Sequence, residues 1–383
     1  MLFGRVKSLD AILATAEKKS LHRTLGALQL TMLGIGAIIG TGIFVLTAEA
    51  ANKAGPAMMI SFVIAAVVCA LAALCYSELA SMVPVSGSAY TYSYATFGEI
   101  VAWIVGWALV LEYAIAASAV SVGWSGYMVS LVEEIFKIDI PNTLVKGPFD
   151  PVAPGETPGL INLPAMLIGL VCMALLIRGT KESARFNAVL VAVKVSALML
   201  FLVLALPAVS STNFSPFMPN GFFANEVVNP ITNEMITVGV SAAAASIFFA
   251  YVGFDAVSTA AEETINPQRN IPIGLIGSLA ICTIIYLLVA AGAIGTIGAQ
   301  PGGSLSQSDD ALAFVLREIG QGWAGDLVAI AAGLALPSVI LMMMFGQTRI
   351  FFVMARDGLL PDVFSRLHPK YGTPHVVTMC TGV

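Results

Sequence analysis

The chain has 383 residues, of which 58% are hydrophobic and only 11% are charged, and its mean hydropathy is +0.89. A soluble domain is about one quarter charged. This composition therefore excludes a soluble globular protein and indicates that most of the chain faces a membrane. The net charge of −5 says little by itself, because the positions of the charges matter more. We expect no nucleic-acid partner. The five cysteines lie in apolar segments, at spacings typical of neither a metal cluster nor a disulfide framework.

Eight apolar stretches are long enough to cross a bilayer, which takes about 20 helical residues. They are Leu25–Ala50, Ala57–Tyr76, Ile100–Leu131, Leu160–Ile177, Ala188–Val209, Ile236–Ala261, Ile273–Ile297 and Leu327–Phe352. A ninth begins near Pro374 and is unfinished at Val383, so we interpret the chain as truncated. The sequence predicts an all-α polytopic transmembrane domain over residues 25–383, after a short N-terminal segment of residues 1–24.

The distribution of lysine and arginine predicts the orientation of this domain. Of 18 such residues, 13 fall on the side of the N-terminus, four fall on the other side, and Lys194 lies within a span. Because basic residues concentrate on the cytoplasmic side, we expect a cytoplasmic N-terminus in a multi-pass protein of the plasma or inner membrane.

Three long segments fall on the predicted outer side. Glu133–Pro158 and Ser210–Glu234 are rich in Pro, Asn and Gly and are predicted to be loops. The third, Pro301–Asp326, contains the sequence Ser308-Asp-Asp, then spaced apolar residues and Gly320. This pattern is typical of a capped amphipathic helix, which either covers an outer vestibule or simply rests on the bundle.

The first span is rich in glycine, with Gly34, Gly36, Gly40 and Gly42 inside nine residues. Glycine is a poor helix former, although small residues also serve as packing faces between membrane helices. The last three of these glycines do not share one helix face, so packing alone does not explain them. We therefore predict a local unwinding at Gly40-Thr41-Gly42.

The sixth span has a weaker counterpart in Phe248–Asp255, where a glycine and an acid stand in mid-membrane. Unwound backbone inside a bilayer is tolerated where it is buried or lines a cavity. Breaks in spans one and six fit an inverted repeat of two five-helix halves. The N–H groups and positive dipole of a helix that begins near Thr41 suit a carboxylate, and free carbonyls nearby suit an ammonium. The pattern predicts a site for an α-amino acid.

Three ionisable residues interrupt apolar runs, namely Glu112, Lys194 and Asp255. Charges in the bilayer are costly and are functional hypotheses by default, with structural ion pairs or snorkelling as the alternative. Lys194 sits deep in its span. If it lies against the unwound part of span one, its ammonium takes the place of a bound cation. It could then release and take up a proton, so we expect proton rather than sodium coupling, and no metal or other cofactor.

Several motifs together carry a resemblance to a known family. They are Gly34–Phe44, Tyr76–Ala80, Pro84–Tyr92, Gly106–Tyr113, Phe248–Asp255, Asn266–Pro272 and Met354–Leu360 followed by proline. From about Leu21 onward the chain resembles the amino acid–polyamine–organocation superfamily. Within it, the chain most resembles the cationic amino acid transporter family and its bacterial relatives.

This resemblance implies a fold and a set of roles. The fold is a twelve-helix transporter with an inverted repeat and discontinuous helices one and six, of which spans nine to twelve are expected but absent from the chain. The residues implied in substrate binding are Ile38, Gly40, Thr41, Gly42, Phe249, Ala250, Val252 and Leu336. Phe249 is also implied as the outer aromatic gate. The residues implied in proton coupling are Lys194, Gly36, Ile39, Glu112 and Asp255.

The expected function is secondary active transport of L-amino acids by alternating access. The family name favours cationic substrates, but Leu336 would face a desolvated cationic side chain with an apolar wall. Small neutral amino acids therefore remain an equal alternative. A sodium-coupled or exchange-type carrier and a channel or receptor are weaker alternatives. The spans contain no metal, nucleophile or phosphate motif of an enzyme, and the sequence does not identify an accessory membrane subunit.

Overall fold

The computed structural model describes residues 25–83, 87–150, 157–178, 183–228, 235–261, 264–308, 310–366, 368, 369, 371 and 373–382. The N-terminal segment of residues 1–24 and part of the Pro84–Tyr92 motif lie outside the described residues. Helices dominate the described part of the chain, as the composition predicts.

The first predicted span is divided into three helices. They are α1 (Ala27–Ile38), α2 (Thr41–Phe44) and α3 (Leu46–Ala54). The rest of the first half continues with α4 (Met58–Met82), α5 (Ser88–Thr96), α6 (Glu99–Phe136), α7 (Asn142–Val145), α8 (Leu163–Arg178) and α9 (Ser183–Ala205). Short 3₁₀ turns at Gly55–Ala57, Leu206–Ala208 and Ser211–Phe214 adjoin these helices.

The second half begins with a β-hairpin and again contains a divided span. Its elements are β1 (Asn225–Val228), β2 (Met235–Val238), α10 (Val240–Phe248), α11 (Ala256–Thr259), α12 (Pro267–Ile297), α13 (Ala311–Glu318), α14 (Gly322–Arg356) and α15 (His375–Gly382). Further 3₁₀ turns lie at Phe249–Tyr251, Ser304–Gln307 and Asp362–Ser365.

Helices occupy each of the eight predicted spans, and α15 stands where the ninth was expected to begin. Six helical stretches of the described chain are long and apolar enough to cross a membrane: Leu46–Met82, Glu99–Glu133, Val189–Ala208, Val240–Thr259, Pro267–Ile297 and Gly322–Arg356. Ala27–Ile38 and Leu163–Arg178 are shorter apolar helices. The all-α polytopic class is confirmed at this level, while the inverted repeat remains a prediction.

The hairpin corrects the predicted boundary of the sixth span. We expected a loop to Glu234 and a span from Ile236, but Val228 pairs with Met235 and Val227 with Ile236 in an antiparallel ladder. β-Branched residues favour extended backbone in such strands. Gly239 then takes a φ of +112°, which favours glycine, and the helix begins at Val240.

The two longest helices, α6 and α14, pack against each other along their length. Glycines allow this approach, because a side chain at Gly346 would stand 3.2 Å from the Tyr113 ring, and one at Gly106 would overlap Met354. Most of the central part of α14 is buried, including Leu336, Val339 and Met343. The helix also contains a proline at position 337.

Helix α13 is present where the capped pattern predicted it, and it packs its apolar side into the bundle. Leu312 and Leu316 are fully buried. The cap differs from the prediction, because Asp310 precedes the helix without a side-chain capping bond. Its carboxylate Oδ2 instead lies 2.6 Å from Arg317 Nη1 and accepts a hydrogen bond from Ser130 Oγ on α6 at 2.9 Å. A nearby cation competes well with helix N–H groups for a carboxylate.

We expect Arg317→Met to lower the free energy of unfolding by about 2 kcal/mol, because Asp310 would be left as a buried charge without its cation. Thermal unfolding of the detergent-purified protein measures this change. Arg366→Met is the control, since Arg366 is exposed and the change there should stay within about 0.5 kcal/mol. Equal unfolding temperatures for the two variants would contradict the role of the ion pair.

Candidate functional site

The first break interrupts the first span between α1 and α2. Ile39 has extended backbone with φ −70° and ψ 101°, and Ile39 and Gly40 separate the two helices. The predicted unwinding at Gly40-Thr41-Gly42 thus lies one residue earlier, and Thr41 and Gly42 open the first turn of α2. First-turn N–H groups have no partner within their own helix, so these two donors face the break.

The second break interrupts the sixth span at Phe249–Asp255. After α10 the chain forms a 3₁₀ turn, and Gly253 takes a φ of +108° before α11 begins. This is one of the places where the backbone requires glycine, because other residues rarely adopt that conformation. Ala250 and Val252 are buried at this break, whereas Phe249, the predicted gate, is only half-buried.

The two breaks meet in the interior of the protein. A side chain at Gly42 would overlap the backbone of Ala250, so the two segments are in direct contact. Tyr286 of α12 joins them further, because its hydroxyl oxygen lies 2.8 Å from the Ile38 carbonyl oxygen and 3.1 Å from that of Ala250. Its single proton is shared between the two acceptors. Sequence reasoning missed Tyr286, although a tyrosine inside an apolar span signals a buried hydroxyl that needs a partner.

Lys194 of α9 is fully buried, and its Nζ donates to the Gly36 carbonyl oxygen at 2.9 Å. In a continuous helix that carbonyl would accept the N–H four residues later, but the first break ends α1 before this can happen. The expected contact with Gly36 is therefore present. Of the two carbonyls named from the sequence, Ile39 is not a hydrogen-bond partner of Lys194 in the described structure.

The other two membrane acids lie together on a different side of the second break. Asp255 is 3% exposed, and its Oδ2 accepts a hydrogen bond from the Tyr113 hydroxyl of α6 at 2.6 Å. Its Oδ1 is buried and has no hydrogen-bond partner among the described residues. The carboxyl group of Glu112, the neighbour of Tyr113, interacts electrostatically with Asp255. Asp255 and Glu112 form an acid pair, and no third metal-ligating side chain joins them in the described chain.

Helix α14 lies against both breaks. A methyl group added to Gly40 would stand 3.2 Å from Val339 Cγ2, and one added to Gly253 would stand 3.0 Å from Met343 Cε. Leu336 precedes Val339 by three residues and therefore lies on the same helix face. Leu336 is fully buried. These positions bring the predicted side-chain wall next to the predicted main-chain site.

The arrangement combines unpaired helix N–H groups, carbonyls that accept side-chain hydrogen bonds and an apolar wall between two broken helices. Comparison with known proteins identifies its family. Residues 25–383 match the family described as "Amino acid permease". The chain belongs to the amino acid permease family. The permease is therefore a membrane transporter rather than an enzyme, and its family implies an amino acid substrate.

Individual relatives of the permease differ in their substrates. It is 48% identical to the branched-chain amino acid permease BcaP of Bacillus subtilis over 382 residues, which are 99% of this chain and 77% of the relative. It is 44% identical to the methylthioribose transporter of the same organism, again over 99% of this chain and 77% of the relative. Human cationic amino acid transporter 4 is 36% identical over 99% of this chain and 56% of its own length.

We expect Gly42→Ala to weaken substrate binding by about tenfold or more, because even a methyl group at this position overlaps the Ala250 backbone and forces the breaks apart. Gly42→Leu should abolish binding. Gly169→Ala on α8 is the matched control, since nothing lies within 4 Å of the added methyl group. Equilibrium binding of radiolabelled amino acid to the purified proteins measures the effect. Unchanged affinity in Gly42→Ala would exclude this contact from the binding site.

Proposed function

We propose that the permease is a proton-coupled transporter of neutral L-amino acids with apolar side chains, which works by alternating access in the plasma or inner membrane. The proposal rests on one observation above all, the hydrogen bond between buried Lys194 and a carbonyl freed by the first break. The basic residues favour a cytoplasmic N-terminus. The contact of the two breaks agrees with an inverted-repeat transporter.

The main-chain groups of the substrate fit the two breaks. The N–H groups of Thr41 and Gly42 begin a helix and suit the carboxylate. The carbonyls of Ile38, Phe249, Ala250 and Val252 suit the ammonium group, which has three N–H donors. In the described state Tyr286 bonds two of these carbonyls. An arriving ammonium would share or replace that bond, so Tyr286 can keep the carbonyls satisfied between transport cycles.

The side-chain specificity follows from the wall formed by α14. Leu336 is fully buried and shares a face with Val339, which contacts the first break. A guanidinium or ammonium against such a wall would lose its hydration without a partner. The resemblance to a branched-chain amino acid permease supports the same substrate class. Transport of cationic amino acids would need Glu112 to reach the pocket. Competition by arginine in the assay with a labelled substrate tests this alternative.

Coupling to protons follows from the position of Lys194. When protonated, its ammonium holds the end of α1 through Gly36. When it loses the proton, this attraction weakens and α1 is free to tilt. A lysine that cycles in this way does the work that a sodium ion would do at the same carbonyls. Glu112 and Asp255 are proposed as a second proton-carrying group, because acidic side chains within membrane spans commonly mark proton pathways.

We expect Lys194→Ala to eliminate accumulation of substrate driven by a proton gradient, while slow exchange of substrate survives. Uptake into liposomes loaded with the purified protein measures both activities. Lys146→Ala is the control, because Lys146 lies in the predicted outer loop and its loss should leave uptake unchanged. Parental uptake should rise with an inward proton gradient and ignore sodium. Sodium-dependent uptake, or a Lys194→Ala protein that still concentrates substrate, would contradict the coupling proposal.

We expect Leu336→Ser to shift selectivity towards larger or cationic amino acids by about tenfold, because the change removes apolar volume and adds a hydroxyl group. Competition of unlabelled alanine, leucine and arginine against a labelled substrate gives the ratios. Leu334→Ser on the same helix is the control, since Leu334 is 60% exposed and should leave the ratios unchanged. Identical competition profiles in Leu336→Ser and the parent would remove Leu336 from the site.

A second candidate substrate is a thioether sugar, because a relative of 44% identity is a methylthioribose transporter. Such a molecule has neither an ammonium nor a carboxylate group, so it would leave the charges of the main-chain site unused. The same competition assay separates the two candidates. Inhibition by methylthioribose without inhibition by leucine would replace the amino acid proposal.

A further inference from the structure

Helix α14 carries a defect close to the two breaks. Pro337 stands inside the helix, and proline has no backbone N–H to donate. The carbonyl of Gly333, four residues earlier, therefore loses its partner in the helix. Inside a bilayer such a carbonyl must find another donor, because water is not available to satisfy it.

The missing donor comes from α6. The indole Nε1 of Trp124 lies 2.7 Å from the Gly333 carbonyl oxygen and donates its proton to it. Indole nitrogen is a donor only, so this bond has one direction. Met128, one turn after Trp124 on α6, also packs against Gly333, because a side chain at Gly333 would overlap it. The glycine lets α6 come close enough for the indole to reach the freed carbonyl.

The proline position, whose freed carbonyl is bonded by Trp124, stands directly before the residues that contact the breaks. Val339 packs on Gly40 and Met343 on Gly253, and both follow Pro337 along α14. A proline bend changes the direction of the helix that follows it. The depth of Val339 and Met343 beside the breaks therefore depends on how far α14 bends at Pro337. The Trp124 bond is lost if the bend opens and draws Gly333 away from α6.

We propose that Trp124 is a positioning residue for specificity, which holds the bend of α14 through Gly333 and so sets the size of the substrate side-chain pocket. This inference deepens the proposed function and rests on it, because it takes Leu336 and Val339 as the wall of that pocket. Trp124 itself touches no substrate. The plain alternative is that Trp124 only fills space between α6 and α14, as large aromatic residues commonly do.

Two substitutions separate these readings. Trp124→Phe keeps an aromatic ring and removes the N–H donor. Pro337→Ala restores a backbone N–H that can bond the Gly333 carbonyl, which makes the indole donor unnecessary. Together they form a double-mutant cycle. Trp107→Phe is the matched control on α6, because Trp107 is 40% exposed and packs on Trp103 and Phe351.

The readouts are the ratio of inhibition constants for alanine, leucine and phenylalanine against a labelled substrate, and the unfolding temperature. We expect Trp124→Phe to change the alanine-to-leucine ratio by about tenfold, and Trp107→Phe to leave it unchanged. In the Pro337→Ala background Trp124→Phe should change the ratio less than about twofold. An unchanged ratio, or the same change in both backgrounds, would overturn the inference.

The remaining outcomes also decide the question. If Trp124→Phe fails to fold alone, the inference requires that Pro337→Ala rescue its folding, and failure of that rescue counts against it. If the parental protein accepts only cationic amino acids or methylthioribose, the proposed substrate is wrong. For a cationic substrate, the double-mutant cycle then uses the ratio of inhibition constants for lysine and arginine. For methylthioribose, it uses the unfolding temperature with and without that ligand. Non-additivity between Trp124 and Pro337 would still support the inference, and additivity would still refute it.

Discussion

The structure depends on one constraint, which is that every backbone carbonyl freed inside the membrane needs a donor. Four carbonyls freed by helix interruptions in the described part of the chain each accept a hydrogen bond from a side chain of another helix. The freed carbonyls belong to Gly36, Ile38, Phe44 and Gly333, and their donors are, in the same order, Lys194, Tyr286, Tyr127 and Trp124. Irregular backbone survives in a bilayer only with such partners. The same bonds that permit a binding site between broken helices therefore also tie the helices together.

These donors are not equivalent chemically, and this difference supports the coupling proposal. A tyrosine hydroxyl or an indole N–H stays neutral as it donates, so the strength of such a bond does not depend on the gain or loss of a proton. Lys194 differs because it changes charge when it gains or loses a proton, and α1 gains or loses an electrostatic attraction with it. A carrier that must release α1 on one side of the membrane needs a bond of variable strength at that position.

Local sequence patterns predicted the breaks, but not the side chains that satisfy them. Gly40 and Gly253 stand where a continuous helix is interrupted. The low helix propensity of glycine indicates these interruptions from the sequence alone. Lys194 was recognisable because a charge in an apolar run demands a partner. Trp124 and Gly333 are 209 residues apart, so no local pattern links them. From sequence alone, a tryptophan that anchors a helix at the membrane surface looks the same as one that bonds a carbonyl of another helix. The β-hairpin was missed for a related reason, since Ile236 and Val238 read equally well as the start of an apolar span.

Helix α6 connects the two parts of the proposed mechanism. Tyr113 and Trp124 are eleven residues apart on it, which is about three helical turns, so both face the same side. Tyr113 bonds Asp255 at the second break, and Trp124 bonds the Gly333 carbonyl of α14. A change in the protonation of Asp255 would alter its bond with Tyr113 on α6. The same helix carries the bond between Trp124 and Gly333. Since α14 touches both breaks through Val339 and Met343, the proposed mechanism requires no direct contact between substrate and proton.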